Sequence, residues 1–469
     1  MNRTAGQNSA APRGQTALGG GTGLSLETGL PRDAGLPTNA GRGPDVELSQ
    51  PDVELSQQAH PPRPSAIAGY EDWPAYVQKH PRHQAASASA QELADALGVP
   101  SLSGVLGVPT EPSVPSGPEM PDAPAAPPSP DLTVHWEETY DGVTTSQLSW
   151  QLGFGPRTTG WLIRPAGAAG PLPGILALHC HGGNKFGGAD RLVELPESHP
   201  SAEKARTGHY DGHALATDIA RRGFAVLAHD TFAWGSRRFN LDVPPWRTAS
   251  ALEARQAQWR EDGVAASDAD VYNAAAGFHE DTVAKTAGLL GTSLAGMVAH
   301  DDLAALEILA GLPDVDQDRL GCIGFSGGGG RSLTLAALSP RIRSYVVTCM
   351  MTTFQSLLPA HLDAHSWLLQ TPGLWRLGDW PELTARSAAS RLLVQYALAD
   401  ELFPEDGMRQ AHTILESLHP PGTYTGSFWP GGHVFTSGMQ EEALDFLAAT
   451  LHHPSSTAES SISRHSTSS

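Results

Sequence analysis

The sequence predicts an α/β fold, a mostly parallel doubly wound sheet with helices on both faces. Between about residues 131 and 453, short apolar runs alternate with amphipathic helical patterns, which is the order of strand–helix units. The runs are near-continuous in Val, Leu, Ile and Ala, as expected of strands buried on both faces. A repeating order sustained over that length makes one large domain rather than several small ones.

Taken along the chain, Trp136 and Leu148–Leu152 fit an opening antiparallel pair, followed by Gly160–Ile163. Ile175–Cys180 reads as a buried strand. Leu215 and Ile219 mark a helix ending at Arg221-Arg222-Gly223, and Phe224–His229 is the next strand. Val298, Asp302, Leu306 and Leu309 share one side of a longer helix. Leu320–Phe325, Tyr345–Met350 and Leu392–Tyr396 are three more strands, Phe428-Trp429 ends a last one, and Glu442–Leu451 makes the final helix. Insertions near 236–280 and 355–388 would cap the domain; the second holds Trp367, Trp375 and Trp380 and forms the natural roof of a pocket.

The flanks differ in character. Residues 1–65 are poor in large apolar groups and read as a disordered tail, with a heptapeptide PDVELSQ occurring twice in tandem at 44–57. Residues 66–108 form a short helical segment, a candidate cap, with helices around Tyr70–Lys79 and at Ala90–Leu97. Tyr70, Trp73 and Tyr76 make an aromatic stripe on the first, expected to pack in a core. Residues 109–130 are a Pro-rich linker, and 454–469 a Ser-rich tail. The 50 glycines and 38 prolines among 469 residues are the excess these segments imply.

The formal net charge of −20 argues against tracking a phosphate backbone, so no nucleic-acid partner is expected. No apolar run approaches the length of about 18 residues that spans a membrane, and the N-terminus lacks the apolar core of a secretory signal. No membrane partner and a cytoplasmic location are the resulting expectations. Cys180, Cys322 and Cys349 are too few for a disulfide framework and lack metal-ligand spacing.

The chemistry concentrates at Gly324-Phe325-Ser326-Gly327-Gly328. A strand precedes this G-x-S-x-G run and a helical run follows it, the context of a nucleophile elbow. The helix would aim its N–H groups at the serine oxygen. No Gly-Lys-Ser/Thr follows, so a phosphate-binding loop does not fit. A rival, Gly291-Thr-Ser-Leu-Ala295, has no strand before it and is expected to pack a helix end instead.

A nucleophilic serine needs a base and the base an orienting acid, in the order Ser, acid, His for an elbow of this kind. Asp400 follows the strand Leu392–Tyr396, where parallel sheets place their catalytic groups; Glu401 beside it is the alternative. His433 follows the last strand. His412 and His419 are expected at the surface. Gly327 and Gly183, the latter in the His181-Gly182-Gly183 loop, are the expected N–H donors of an oxyanion hole. For metal, His179-x-His181 on a strand and His361-x-x-x-His365 on a helix have suggestive spacings but no third ligand at a motif distance. No metal and no cofactor are expected. Asp301 and Asp302, adjacent on a helix, diverge by about 100° and cannot flank one bond.

With elbow, acid, histidine and loop in order, the chain resembles the α/β-hydrolase superfamily, and within it the bacterial dienelactone hydrolase and acetyl xylan esterase-like group. Leu178–Gly183, Arg319–Gly328, Asp400–Pro404 and His433 carry the resemblance, which covers about 131–453. It implies an α/β-hydrolase fold and a Ser326–His433–Asp400 triad that hydrolyses small-molecule carboxylic esters, with small acyl or sugar-borne acetyl groups favoured. Two departures stand out. Dienelactone hydrolases use a cysteine where this chain has Ser326, and related carbohydrate acetyl esterases usually follow the serine with Gln-Gly rather than Gly327-Gly328. Thioesterase, peptidase and acyltransferase chemistry on the same triad, a non-catalytic binding protein and a metal-dependent hydrolase are the alternatives.

Overall fold

The computed structural model describes residues 63–79, 89–101 and 131–452. The tandem heptapeptide, most of the expected N-terminal tail, the Pro-rich linker and the Ser-rich tail lie outside these residues.

Nine strands form one sheet: β1 Thr133–Tyr140, β2 Val143–Trp150, β3 Thr158–Pro165, β4 Leu172–Leu178, β5 Ala225–His229, β6 Val315–Phe325, β7 Ile342–Thr348, β8 Arg391–Ala397 and β9 Tyr424–Trp429. Their order across the sheet is β1-β2-β3-β5-β4-β6-β7-β8-β9. The first three are antiparallel, and β3 meets β5 antiparallel. From β5 to β9 every pairing is parallel. The opening hairpin closes through Asp141-Gly142, both at positive φ (43° and 79°), the backbone of a two-residue turn that an Asp-Gly pair favours.

Side-chain alternation divides the parallel strands between two apolar layers. Leu176 and Leu178 of β4, Tyr345 and Val347 of β7, and Leu392 and Val394 of β8 face one layer. The helices Leu294–Gly311, Gly327–Leu338 and Glu405–Leu418 complete it through Leu306, Leu309, Leu333 and Leu415. Ile175, Ala177, Val346 and Leu393 face the other, covered by the helices Leu215–Arg221 and Ser437–Leu451. The fold is therefore an α/β sheet with helices on both faces, as the alternation predicts.

Several boundaries move. β4 ends at Leu178, so His179 and Cys180 belong to the loop beyond it, and β7 ends at Thr348. The last helix begins at Ser437, five residues before Glu442, where Thr436 caps it through Met439 N–H.

The segment 89–101 packs on the first layer. Ser89 and Glu92 form a reciprocal capping box, and the helix Ala90–Leu97 buries Leu93 and Leu97. Thr292 Oγ1 donates to Gly98 O at 2.6 Å and Ser293 Oγ to Leu97 O at 2.7 Å. A Cβ on Gly296 would lie 2.2 Å from Leu97 O, which explains glycine there. The rival serine motif is thus a latch for this helix, with Ser293 also capping Leu294–Gly311 through Gly296 N–H. The aromatic stripe corrects the expectation of core packing. The helix is only Trp73–Val77, which leaves Tyr70 outside it, and Tyr70, Trp73 and Tyr76 are 57–68% exposed.

Candidate active site

Ser326 stands at the end of β6, near the middle of the sheet, where strand gives way directly to the helix Gly327–Leu338. Its backbone has φ 56° and ψ −123°, a conformation that costs a side-chain-bearing residue about 1–3 kcal/mol. The neighbouring glycines allow it. A Cβ on Gly324 would lie 2.1 Å from Gly328 C, and one on Gly328 would lie 2.1 Å from Leu178 O. Both obstacles are backbone, so neither can yield cheaply. Ser326 N–H donates to Thr348 O at 2.8 Å, tying the turn to β7. Arg331, one turn into the helix, donates to both Asp302 oxygens (3.0 and 2.7 Å) and to His179 O (3.0 Å), all buried. The bidentate pair fastens the helix to the helix Leu294–Gly311, and the bond to His179 O ties it to the backbone just after β4.

Asp400 follows β8, and His433 follows β9. Paired backbone brings them together: Leu398 N–H donates to Trp429 O and Ala399 N–H to Gly431 O, each at 2.9 Å. His433 Nδ1 lies 2.6 Å from Asp400 Oδ2, and His433 Nε2 lies 2.8 Å from Ser326 Oγ. The other Asp400 oxygen accepts Leu402 N–H at 2.8 Å. With both oxygens engaged, Asp400 is an acceptor for the Nδ1 proton, which leaves Nε2 free to accept the serine hydroxyl. The imidazole lies between Phe325 and Phe403, with ring centroids at 4.8 and 6.0 Å. Glu401 takes no part in this contact; its main-chain carbonyl accepts Arg63 instead.

The loop after β4 closes the other side. Gly182 and Gly183 both take positive φ, 57° and 60°. Gly183 N–H donates to His181 Nδ1 at 3.1 Å, and a Cβ on Gly327 would come within 3.1 Å of His181 N. The loop therefore abuts the first helical residue after the serine, with the Gly183 N–H turned to the His181 ring. Glu280, on the helix Asp268–Leu289, accepts from His181 Nε2 at 3.0 Å and pairs with Lys185. Its other oxygen accepts Ser366 Oγ (2.6 Å) and Trp367 N–H (2.8 Å) from the segment between β7 and β8. Burial would raise the Glu280 carboxyl's pKa, but His181 and Lys185 hold it well below the usual carboxylate range. His365 crosses to the acid side, its Nε2 donating to Leu402 O at 2.9 Å. Leu368 sits over Gly327, whose added Cβ would meet Leu368 Cδ2 at 3.0 Å. Beside it is an apolar cavity of about 30 Å³, bordered by Gly327, Gly330, Met350, Leu368 and Leu374.

Other histidines depart from expectation. His361 and His365 flank a single turn, Leu362–Ala364, rather than sharing a helix face. His179 is buried beyond β4, with Nδ1 against Cys180 O at 3.0 Å. His419 is buried too, its Nε2 donating to Thr384 Oγ1 at 2.8 Å, because Thr384 spends its own proton on Pro381 O. Among the described residues no three His, Cys, Asp or Glu side chains are grouped to hold a metal ion, and no helix is long and apolar enough to cross a membrane. Asp301 and Asp302 point to different partners, Arg237 and Arg331. Glu280, Lys185 and Arg331 carry no motif in the sequence, and His365 stood out only for its spacing from His361.

Comparison with known proteins agrees with this architecture. The acetyl xylan esterase family model matches residues 293–366, a span that includes the elbow and stops before Asp400 and His433. The Bacillus subtilis (strain 168) protein YtaP, provisionally assigned as a hydrolase, is 25% identical over 296 residues, covering 62% of this chain and 83% of that protein. A Bacteroides fragilis NCTC 9343 protein provisionally assigned as an acetyl xylan esterase superposes with a TM-score of 0.51 at 14% identity, covering 77% of this chain and 82% of its own. Acetyl xylan esterase 1 from Thermoanaerobacterium sp. JW/SL YS485 is similar at a TM-score of 0.45 and 19% identity, over 69% of this chain and 88% of that one. The chain is similar to the acetyl xylan esterase family around the elbow and shares the overall fold of the Bacteroides fragilis protein.

Proposed function

We propose that this ester-bond hydrolase is a serine carboxylesterase acting on small acyl groups, with Ser326 as nucleophile, His433 as general base and acid, and Asp400 as the orienting carboxylate. The continuous contact from Ser326 Oγ through the His433 ring to Asp400, at 2.8 and 2.6 Å, carries the reading.

The chemistry follows from those contacts. His433 Nε2 takes the Ser326 proton as Oγ attacks the ester carbonyl, while Asp400 stabilises the imidazolium. The carbonyl oxygen becomes an oxyanion facing the Gly327 N–H at the helix start, with Gly183 as the second donor once its N–H turns from His181 to the stronger, charged acceptor. Collapse expels the alcohol, protonated by His433, and leaves an acyl-serine. Water then gives its proton to His433, attacks the acyl carbon and releases the acid, returning the proton to Ser326. The insertions near 236–280 and 355–388 roof the site in this reading. Leu368, packed over Gly327 next to the serine, supports a short acyl group over longer chains. A sugar-borne acetyl group is the favoured natural substrate, in line with the family whose model matches around the elbow.

A p-nitrophenyl ester series from acetate to octanoate tests this. Acetate should be the best substrate, with kcat/KM falling as the chain lengthens, and Ser326→Ala should lose roughly 10⁴–10⁶-fold in kcat. Leu368→Ala should shift the optimum to longer acyl groups. An unchanged rate in Ser326→Ala, or a wild-type preference for octanoate, would refute the assignment.

A further inference from the structure

Glu280 lies outside the triad, yet its contacts reach both the oxyanion loop and the roof. On the loop side it accepts His181 Nε2 at 3.0 Å and pairs with Lys185; on the roof side it accepts Ser366 Oγ and Trp367 N–H. The same helix holds the loop a second time. Asn273, seven residues earlier and so on the same helix face, accepts the N–H groups of Lys185 and Phe186, each at 2.8 Å. Asn273 Nδ2 also donates to Asn184 Oδ1 at 3.2 Å. Residues 181–186 are thus gripped from one helix face at both ends.

The consequence for the site passes through the His181 ring. Glu280 accepts the Nε2 proton, which leaves Nδ1 as an acceptor, and Nδ1 is the atom that holds Gly183 N–H at 3.1 Å. Burial keeps this imidazole toward its neutral form, and the pull of Glu280 acts against that. The ring sits edge-on to Trp234 at 5.2 Å, and Trp234 Nε1 donates to His181 O at 3.4 Å, so the ring has one orientation to occupy. The left-handed bend at Gly182-Gly183 is therefore held by a side-chain relay that begins at Glu280.

We infer that Glu280 is a positioning residue, which sets the oxyanion loop through His181 and locks the roof segment onto that loop. The inference rests on the serine esterase reading, and it adds a residue that touches neither the substrate nor the triad.

Glu280→Gln keeps the shape and removes the charge that Lys185 and His181 share. Steady-state kinetics on p-nitrophenyl acetate, with inhibition by an aryl trifluoromethyl ketone, tests the role. The ketone forms a tetrahedral adduct on the serine whose oxygen occupies the oxyanion position. The variant should lose about tenfold to 100-fold in kcat, less than the 10²–10³-fold of deleting a donor outright, with KM within about twofold. Ketone affinity should fall by the same factor as kcat/KM. A purely structural residue would not move those two together. Should Glu280→Gln fail to fold, His181→Gln leaves the Glu280–Lys185 pair in place and should show the same pattern. Wild-type kcat and ketone affinity in whichever variant folds would overturn the inference, as would a loss of kcat with ketone affinity unchanged. If the wild-type protein itself neither turns over any ester nor binds the ketone, the esterase reading fails first, and the two failures are told apart.

Discussion

Ser326 owes its position to two neighbours that have no side chain. The turn fails with any Cβ at Gly324 or Gly328, because each would press on main-chain atoms only 2.1 Å away. The residues of the site differ in what each contributes, and substitutions should separate them. Asp400→Asn keeps the volume but presents a donor to His433 Nδ1, favouring the wrong tautomer; kcat on p-nitrophenyl acetate should drop by about 10⁴-fold, with thermal stability little changed. A variant with more than a tenth of wild-type kcat would remove Asp400 from the mechanism. At this scale the meeting of Ser326, Asp400 and His433 was legible in the sequence because each sits just beyond a strand end in a fixed chain order. Glu280 and Arg331 were not, since their meaning lies in partners up to 152 residues away that no local pattern announces. His419 misled for a related reason: its place at the end of a helix says exposed, but Thr384 covers it.

Among elements, the segment 89–101 is the most informative. Its helix ends on Gly98 in a left-handed conformation, and Thr292 and Ser293 take up the last two carbonyls. Leu97, almost wholly buried, lines the same small cavity as Gly327 and Leu368. Leu97→Ala should cost about 2–5 kcal/mol, the range for a buried leucine, measurable by urea unfolding. A change below about 0.5 kcal/mol would mean that the helix is not docked in solution. This helix was readable to the residue because its capping box and glycine stop are local signals. The Tyr70–Tyr76 stripe carried the same periodicity, yet its rings stay largely exposed, so periodicity alone placed it wrongly in a core. The opening hairpin was legible as a pair; its Asp141-Gly142 turn is the signal that fixes the register.

Across the whole molecule, buried histidines link stability to pH. Burial pushes His419 down to about 4, and lowers His179 and His229 well below their ordinary value near 6.5. In the unfolded chain these groups take up protons as the pH falls through about 6.5, while the folded protein holds them neutral. Protons then favour unfolding, so stability should be greatest above about pH 7 and decline from 6.5 towards 4. Urea midpoints measured at pH 7.5 and 5.0 check the sign. His419→Gln should shrink the drop between those pH values; an equal drop in both proteins would assign it to other groups. The α/β architecture itself was legible from the alternation of strands and helices. The sideways order of the strands was not, because β5 lies between β3 and β4 through pairings no local sequence specifies.

One measurement bears most directly on the central claim, that the serine at the elbow is the nucleophile of a His433–Asp400-activated site. The full-length protein is treated with a fluorophosphonate, weighed intact and mapped by peptide mass, beside Ser326→Ala and His433→Ala. A single adduct is expected in the wild type, on Ser326, none in Ser326→Ala, and labelling slowed by orders of magnitude in His433→Ala. An adduct on any other serine, equal labelling of all three proteins, or no adduct on wild type would contradict it.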